Sequence, residues 1–146
     1  KEKHWDWVMG VNARAPWLCA VKASGLMVNG GNIINISSLG ATKVIDDYFS
    51  VGVSKAALEA ITRYLAVEMA PKGISVNAVS GGLVQTEALD SFTKQSQMID
   101  KGKRNLVDRL ILPEEIAKVV VFLCTPAAAM IRGQVIIVDG GLSLRI

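Results

Sequence analysis

The chain has 146 residues, 51% hydrophobic and 20% charged, with thirteen glycines and a mean hydropathy of +0.36. That balance excludes a disordered segment and provides a core for one domain. Sixteen basic and thirteen acidic residues leave a net charge of +3, and the basic cluster Lys101, Lys103 and Arg104 reads as a solvated turn rather than a nucleic-acid surface.

The opening Lys1-Glu2-Lys3-His4-Trp5-Asp6 lacks the apolar stretch of a signal peptide. The most apolar run, Val119 to Ile131, contains Pro126 and is too short to span a bilayer, so a cytoplasmic protein without a membrane segment is expected. Cys19 and Cys124 sit far apart in apolar helical text and are expected as reduced core thiols. Trp5 to Met27 predicts a helix, apolar at Val8, Val11, Ala15, Leu18 and Val21, with Pro16 marking a bend. Asn29-Gly30-Gly31-Asn32 predicts a turn, and Ile33 to Ile36 a short strand ending in Ser37-Ser38-Leu39-Gly40. A second helix is expected over Val51 to Ala70, stopped by Pro71-Lys72-Gly73. Ile74 to Val79 reads as a strand opening into Ser80-Gly81-Gly82, and Thr86 to Asp108 as a polar, weakly helical lid. Pro113-Glu114-Glu115 starts a helix that runs to Cys124. Gln134 to Val138 is the third strand, closed by Asp139-Gly140-Gly141.

Strands apolar on both faces and separated by helices indicate an α/β fold with a doubly wound, Rossmann-like parallel sheet. Such sheets hold ligands at the carboxyl ends of their strands. Three strands make a thin sheet, and no glycine-rich strand-to-helix turn for a pyrophosphate is present, since Gly30-Gly31 precedes a strand. The expectation is therefore one partial domain over residues 1–146, the carboxyl-terminal part of a larger unit without its dinucleotide phosphate-binding half.

Tyr48 and Lys55, seven positions apart at the start of the long helix, share roughly one face about two turns apart. An ammonium held near a phenol favours the phenolate, which suits proton donation or the stabilisation of an oxyanion. Ser37 and Ser38 add hydroxyls to the same space, and the amide of Asn12 is placed to reach the lysine directly or through water. The same residues also have structural readings: a core phenol with a solvated amine, serine caps, and a tight loop at Ser80-Gly81-Gly82. His4 reads as a surface or cap residue. No serine–histidine pair and no cluster of metal ligands is evident, so no metal is expected.

The order of segments resembles the carboxyl-terminal part of the short-chain dehydrogenase/reductase family. The matching text is Trp5-Asp6 with Val11-Asn12, Asn32-Ile33-Ile34-Asn35-Ile36-Ser37-Ser38, Ser54-Lys55-Ala56-Ala57-Leu58-Glu59-Ala60 and Leu65-Ala66-Val67-Glu68. It continues through Ile74 to Val79, Pro113-Glu114-Glu115-Ile116-Ala117 and Gly133-Gln134 with Val138-Asp139-Gly140-Gly141. Most members carry tyrosine four positions before the lysine, where this chain has Val51. The longer spacing from Tyr48 is similar to the enoyl-acyl-carrier-protein reductases, and Val51 to Lys55, Val79 to Gly82 and Met130 to Gln134 most resemble their FabL branch.

The resemblance implies hydride transfer from NADPH (NADH is not excluded) to a trans-2-enoyl thioester carried on acyl-carrier protein or coenzyme A. Tyr48 would bond the carbonyl oxygen as it becomes an enolate, Lys55 would hold the nicotinamide ribose, and Ser38 and Asn12 would support them. Gly82, Val84 and Thr86, with Tyr48 and Lys55, would meet the cofactor, while Leu89, Phe92 and Met98 would contact the acyl chain from the lid. A homo-oligomer, dimer or tetramer, is implied too, with Ala56, Ala57, Ala60 and Ala66 permitting the long helix to approach its copy. Two alternatives remain open: a family member acting on a ketone or alcohol, and a non-catalytic remnant retaining only the subunit-contact surface. Gly81 stands where relatives often have proline, and Asn105 to Arg109 lacks their proline-glycine turn.

Overall fold

The computed structural model describes residues 1–87, 89 and 95–145. Helix α1 (Glu2–Met9) passes through a π turn (Gly10–Arg14) into α2 (Ala15–Ser24), so the first predicted helix starts three residues early and ends three before Met27. Pro16 has no N–H and its ring would collide with the carbonyl four residues back. The widened turn just before it absorbs that conflict, and the helix continues without a break.

Strand β1 (Gly31–Ser38) pairs in parallel with β2 (Ile74–Gly81) from Gly31 opposite Ile74 to Ser38 opposite Gly81. β3 (Val135–Val138) pairs in parallel with the far half of β2, giving the sheet order β1-β2-β3. Between β1 and β2 runs α3 (Phe49–Met69), whose alanines and leucines favour a helix. It ends through Pro71 and Gly73, the latter at φ +71°, a conformation only glycine adopts without strain. α4 (Gln95–Gly102) lies within the expected lid, and α5 (Pro113–Leu123) begins at the predicted proline.

The sheet is covered on both faces. Ile74 and Val76 of β2 pack with Ala20, Leu65, Ala66 and Met69 of α2 and α3. Val79, facing the other way, packs with Ile116 and Leu123 of α5. All eight residues of β2 are buried, as expected of a central strand in an α/β sheet. Polar pins set the register of these layers. Asn35 Nδ2 donates to Thr62 Oγ1 at 2.8 Å, and Asn77 Nδ2 donates to the Ile131 carbonyl at 2.7 Å while its Oδ1 accepts the Gln134 N–H at 2.9 Å.

Three expectations need correction. Cys19 and Cys124 are exposed, because their neighbours Ala20 and Leu123, about 100° further round each helix, take the core positions. Of the apolar stripe on the first helix, Val8 is buried but Val11 and Val21 are exposed. Ala66 belongs to the chain's own core, within 3.3 Å of where a Cβ on Gly133 would stand, and is not available to a second copy. Among the described residues no helix is long and apolar enough to cross a membrane.

Candidate active site

The carboxyl ends of β1 and β2 open into a cleft of about 520 Å³. Ser38, Tyr48, Gly82, Val84 and Thr86 line it, with an apolar side formed by Leu83, Leu89, Met98, Ile116 and Leu142.

Tyr48 precedes the first residue of α3, so its side chain projects from the helix start toward the strand tip. Two glycines make its seat. A Cβ on Gly40 would lie 2.6 Å from two carbons of the Tyr48 ring, and a Cβ on Gly52 would lie 2.7 Å from the Gly40 carbonyl oxygen. The Gly52 N–H donates to the Tyr48 carbonyl at 2.7 Å. The Tyr48 hydroxyl donates to Ser38 Oγ at 3.4 Å, and that oxygen also accepts the Gly40 N–H at 3.2 Å.

Lys55, two turns further along α3, is half-buried and donates from Nζ to the Ile36 carbonyl at 2.8 Å. Burial lowers its pKa from the usual lysine value of 10.5. The phenol and the ammonium are thus tied to β1 two residues apart, at Ser38 and Ile36. Asn12 sits in the π turn and donates to Ser54 Oγ at 3.0 Å, bonding to the neighbour of Lys55 in sequence rather than to the amine. Ser37 borders the cleft as well, but its hydroxyl is engaged elsewhere. Its side chain faces the opposite side of β1 from Ser38 and donates to Glu59 Oε1 at 2.6 Å.

At the end of β2, the Gly82 N–H donates to the Val138 carbonyl at 3.0 Å. Val84 bridges Ile111: the Ile111 N–H donates to Leu83 and its carbonyl accepts from Gln85, which turns the N–H and C=O of Val84 away from that bridge. Thr86 is exposed at the rim, Leu89 is buried against the cleft and Met98 is half-buried there. Phe92 lies outside the described residues. Among the described residues no cluster of histidine, cysteine or carboxylate is placed to hold a metal.

Residues 1–143 match the model of the short-chain dehydrogenase/reductase group described as Enoyl-(Acyl carrier protein) reductase. The chain belongs to this family of short-chain dehydrogenases/reductases. It is 39% identical over 146 residues to the 1-cyclohexenylcarbonyl-CoA reductase of Streptomyces collinus, covering 97% of this chain and 51% of that protein. It is 32% identical to the NAD-dependent glycerol dehydrogenase of Listeria innocua, covering 99% of this chain and 58% of that one. In structure it is similar to the Bacillus cereus enoyl-acyl carrier protein reductase with NADP+ and indole naphthyridinone, with a TM-score of 0.90 and 30% identity over 97% of this chain and 55% of the other. The chain spans about half the length of the curated relatives it matches.

Two buried polar side chains adjoin the cleft-lining residues Gly102 and Gly82. Asn105, buried at 1% exposure, donates to the carbonyls of Gly102 and Arg109 at 3.0 and 2.6 Å and accepts the Val107 N–H at 3.0 Å. One side chain thereby closes the loop that lacks a proline-glycine turn. Asp139 is buried, which works against its ionisation, but hydrogen bonds from Ser143 and Gly141 outweigh that and lower its pKa.

At the start of α5, Arg109 grips Glu115 with both terminal nitrogens, at 2.8 and 2.7 Å, and Glu115 also accepts the Leu112 N–H at 2.8 Å. The Arg109 hydrogen bond, then the Leu112 N–H, hold the Glu115 carboxyl down to about 2 from 4.5. A depressed carboxylate pKa contributes stability above the unfolded value and loses it as pH falls. Glu115→Gln should therefore melt below the parent at neutral pH, and the gap should close between pH 4.5 and 2 in a thermal-melt series.

The structure ties the predicted Tyr48 and Lys55 to the tip of β1, with Ser38 among the contacts, and adds Gly40, Gly52 and the Ile36 carbonyl, which the sequence did not single out. The glycine after the strand tip was a signal that a side chain must approach it closely. The carbonyl left no signal, because every residue carries one. Also missed was the exposed Asp46–Lys101 ion pair, 2.9 Å, which links the loop before Tyr48 to α4 across the cleft mouth.

Proposed function

We propose that this chain carries the substrate and nicotinamide end of an enoyl-thioester reductase, similar to the FabL type, acting on acyl-carrier-protein-linked or coenzyme-A-linked substrates in the cytoplasm. The observation that carries the reading is the tethering of the Tyr48 hydroxyl and the Lys55 ammonium to one strand tip beside an apolar cleft. The seven-residue spacing supports enoyl over carbonyl chemistry.

A reduced nicotinamide, NADPH on this reading, supplies hydride when bound. The donor set fits that group: an ammonium and a phenol suit a ribose diol and a substrate oxygen, and the Gly82–Thr86 segment supplies backbone at the cleft edge. Tyr48 places its hydroxyl toward the thioester carbonyl, where it stabilises negative charge and positions the proton that neutralises it. Lys55, tethered at the Ile36 carbonyl, contributes positive charge at the base of the same strand tip. Leu89, Met98 and Ile116 exclude water and take the acyl chain. The Arg104 guanidinium at the cleft lining suits the phosphate of a carrier arm. A homo-oligomer is part of the reading, since Trp7, Phe49, Tyr64 and Val67 present apolar surface on α1 and α3.

The test is reduction of crotonyl-coenzyme A by the intact protein, followed by loss of NADPH absorbance, beside ketone and alcohol substrates. Enoyl reduction without ketone turnover supports the proposal. Ketone or alcohol turnover alone would favour the second reading, carbonyl chemistry, to which the Ser38 hydroxyl beside Tyr48 lends weight as a second donor to a carbonyl oxygen. Neither turnover nor tryptophan quenching by NADPH would leave a non-catalytic remnant.

A further inference from the structure

We infer that Glu59 is a positioning residue for the Tyr48–Lys55 pair, acting through Ser37. The inference rests on the reductase reading above. The tip of β1 reads Ile36-Ser37-Ser38, and each of the three holds a different part of α3 or its cap. The Ile36 carbonyl takes the Lys55 ammonium, Ser38 Oγ takes the Tyr48 hydroxyl, and between them the Ser37 hydroxyl donates to Glu59 Oε1 at 2.6 Å. Lys55 and Glu59 are four residues apart, on adjoining turns of one helix face.

Ser37 and Glu59 are 6% and 7% exposed, so water does not compete for the bond. A short hydroxyl-to-carboxyl hydrogen bond with little access to water is a strong one. Burying a carboxyl group nevertheless costs more than burying a hydrocarbon pair of the same size. Adhesion between strand and helix is already served by the apolar cluster of α2, α3 and β2 and by the Asn35–Thr62 bond at 2.8 Å. What the Ser37–Glu59 bond adds is location. It clamps the one residue whose two neighbours hold the functional side chains, so the peptide planes presenting the Ile36 carbonyl and Ser38 are fixed relative to α3.

The experiment compares Glu59→Ala, Glu59→Gln and Thr62→Val in the intact protein, by steady-state kinetics and by the rate at which an acylating reagent modifies Lys55, read by mass spectrometry. Glu59→Ala should lower kcat about tenfold or more, with KM for the enoyl thioester changed less than about threefold, as expected of misplaced rather than missing groups. Lys55 should become more reactive as its tether to Ile36 loosens. Glu59→Gln, which still offers an oxygen to Ser37, should recover most of the parent rate. Thr62→Val, a lesion in the same seam, should lower stability without changing Lys55 reactivity. Unchanged Lys55 reactivity in Glu59→Ala overturns the inference whatever the turnover, and so does an equal change in Thr62→Val. Should Glu59→Ala fail to fold, Ser37→Ala carries the same comparison. A parent that reduces no enoyl thioester would defeat the functional proposal, while the Lys55 reactivity series still decides the role of Glu59.

Discussion

Tyr48→Phe should lower kcat for enoyl-thioester reduction by about 10²- to 10³-fold, the usual cost of deleting a donor aimed at developing negative charge. The ring would remain in place, because its seat over Gly40 and the bond from the Gly52 N–H to the Tyr48 carbonyl do not involve the hydroxyl. NADPH affinity should stay within about twofold of the parent by tryptophan quenching, since the change removes an interaction that matters mainly in the transition state. Loss is therefore expected in kcat and kcat/KM together. A variant that kept the parent turnover would show that Tyr48 is a packed phenol and remove it from the chemistry. Ser38→Ala separates the two readings of the cleft: enoyl reduction should fall by less than about tenfold, whereas carbonyl reduction using both hydroxyls should suffer a loss like that of Tyr48→Phe.

Much of this arrangement is legible in the text of the chain. β2 could be read as a strand because Ile74, Val76 and Ala78 alternate with Ser75 and Asn77, which also fit a closed interior, and all are buried. α5 announces itself through Pro113 and Glu115, whose carboxylate returns to the Leu112 N–H. Boundaries proved less visible. β1 extends to Gly31 and Ser38 because pairing with the whole of β2 stabilises polar residues that have no local preference for a strand. α3 begins at Phe49, two residues before the predicted start, because the Gly52 N–H closes onto the Tyr48 carbonyl. Within the site, spacing could bring Tyr48 and Lys55 to one region but could not assign the two serines. Ser37 and Ser38 look alike in the text, and strand alternation alone sends one to Glu59 and the other to the cleft. The cysteines illustrate the opposite failure, where apolar surroundings in sequence gave no indication of which way each helix turns.

The glycine pair under Tyr48 leads to an outcome opposite in sign to helix propensity. Gly52 lies inside α3, where replacement by alanine ordinarily stabilises by about 0.5–1 kcal/mol. Here the new Cβ would stand 2.7 Å from the Gly40 carbonyl oxygen, a backbone atom at the turn after β1 that cannot rotate away. Either the turn or the helix must shift, and overpacking of this kind costs about 1–3 kcal/mol, enough to outweigh the propensity gain. Gly52→Ala should therefore melt below the parent and also lose turnover, because the displaced elements carry Tyr48 and Lys55. Gly40→Ala differs in what gives way. Its Cβ would meet the edge of the Tyr48 ring at 2.6 Å, so the phenol swings before the backbone moves. Its loss should fall mainly on kcat, by about 10²-fold for a displacement near 1 Å, with a smaller drop in stability. Melting temperature and kcat measured on both variants check the assignment: Gly52→Ala must suffer in both and Gly40→Ala chiefly in rate. A Gly52→Ala protein more stable than its parent would mean that α3 has room to spare and that the phenol is not held by this contact.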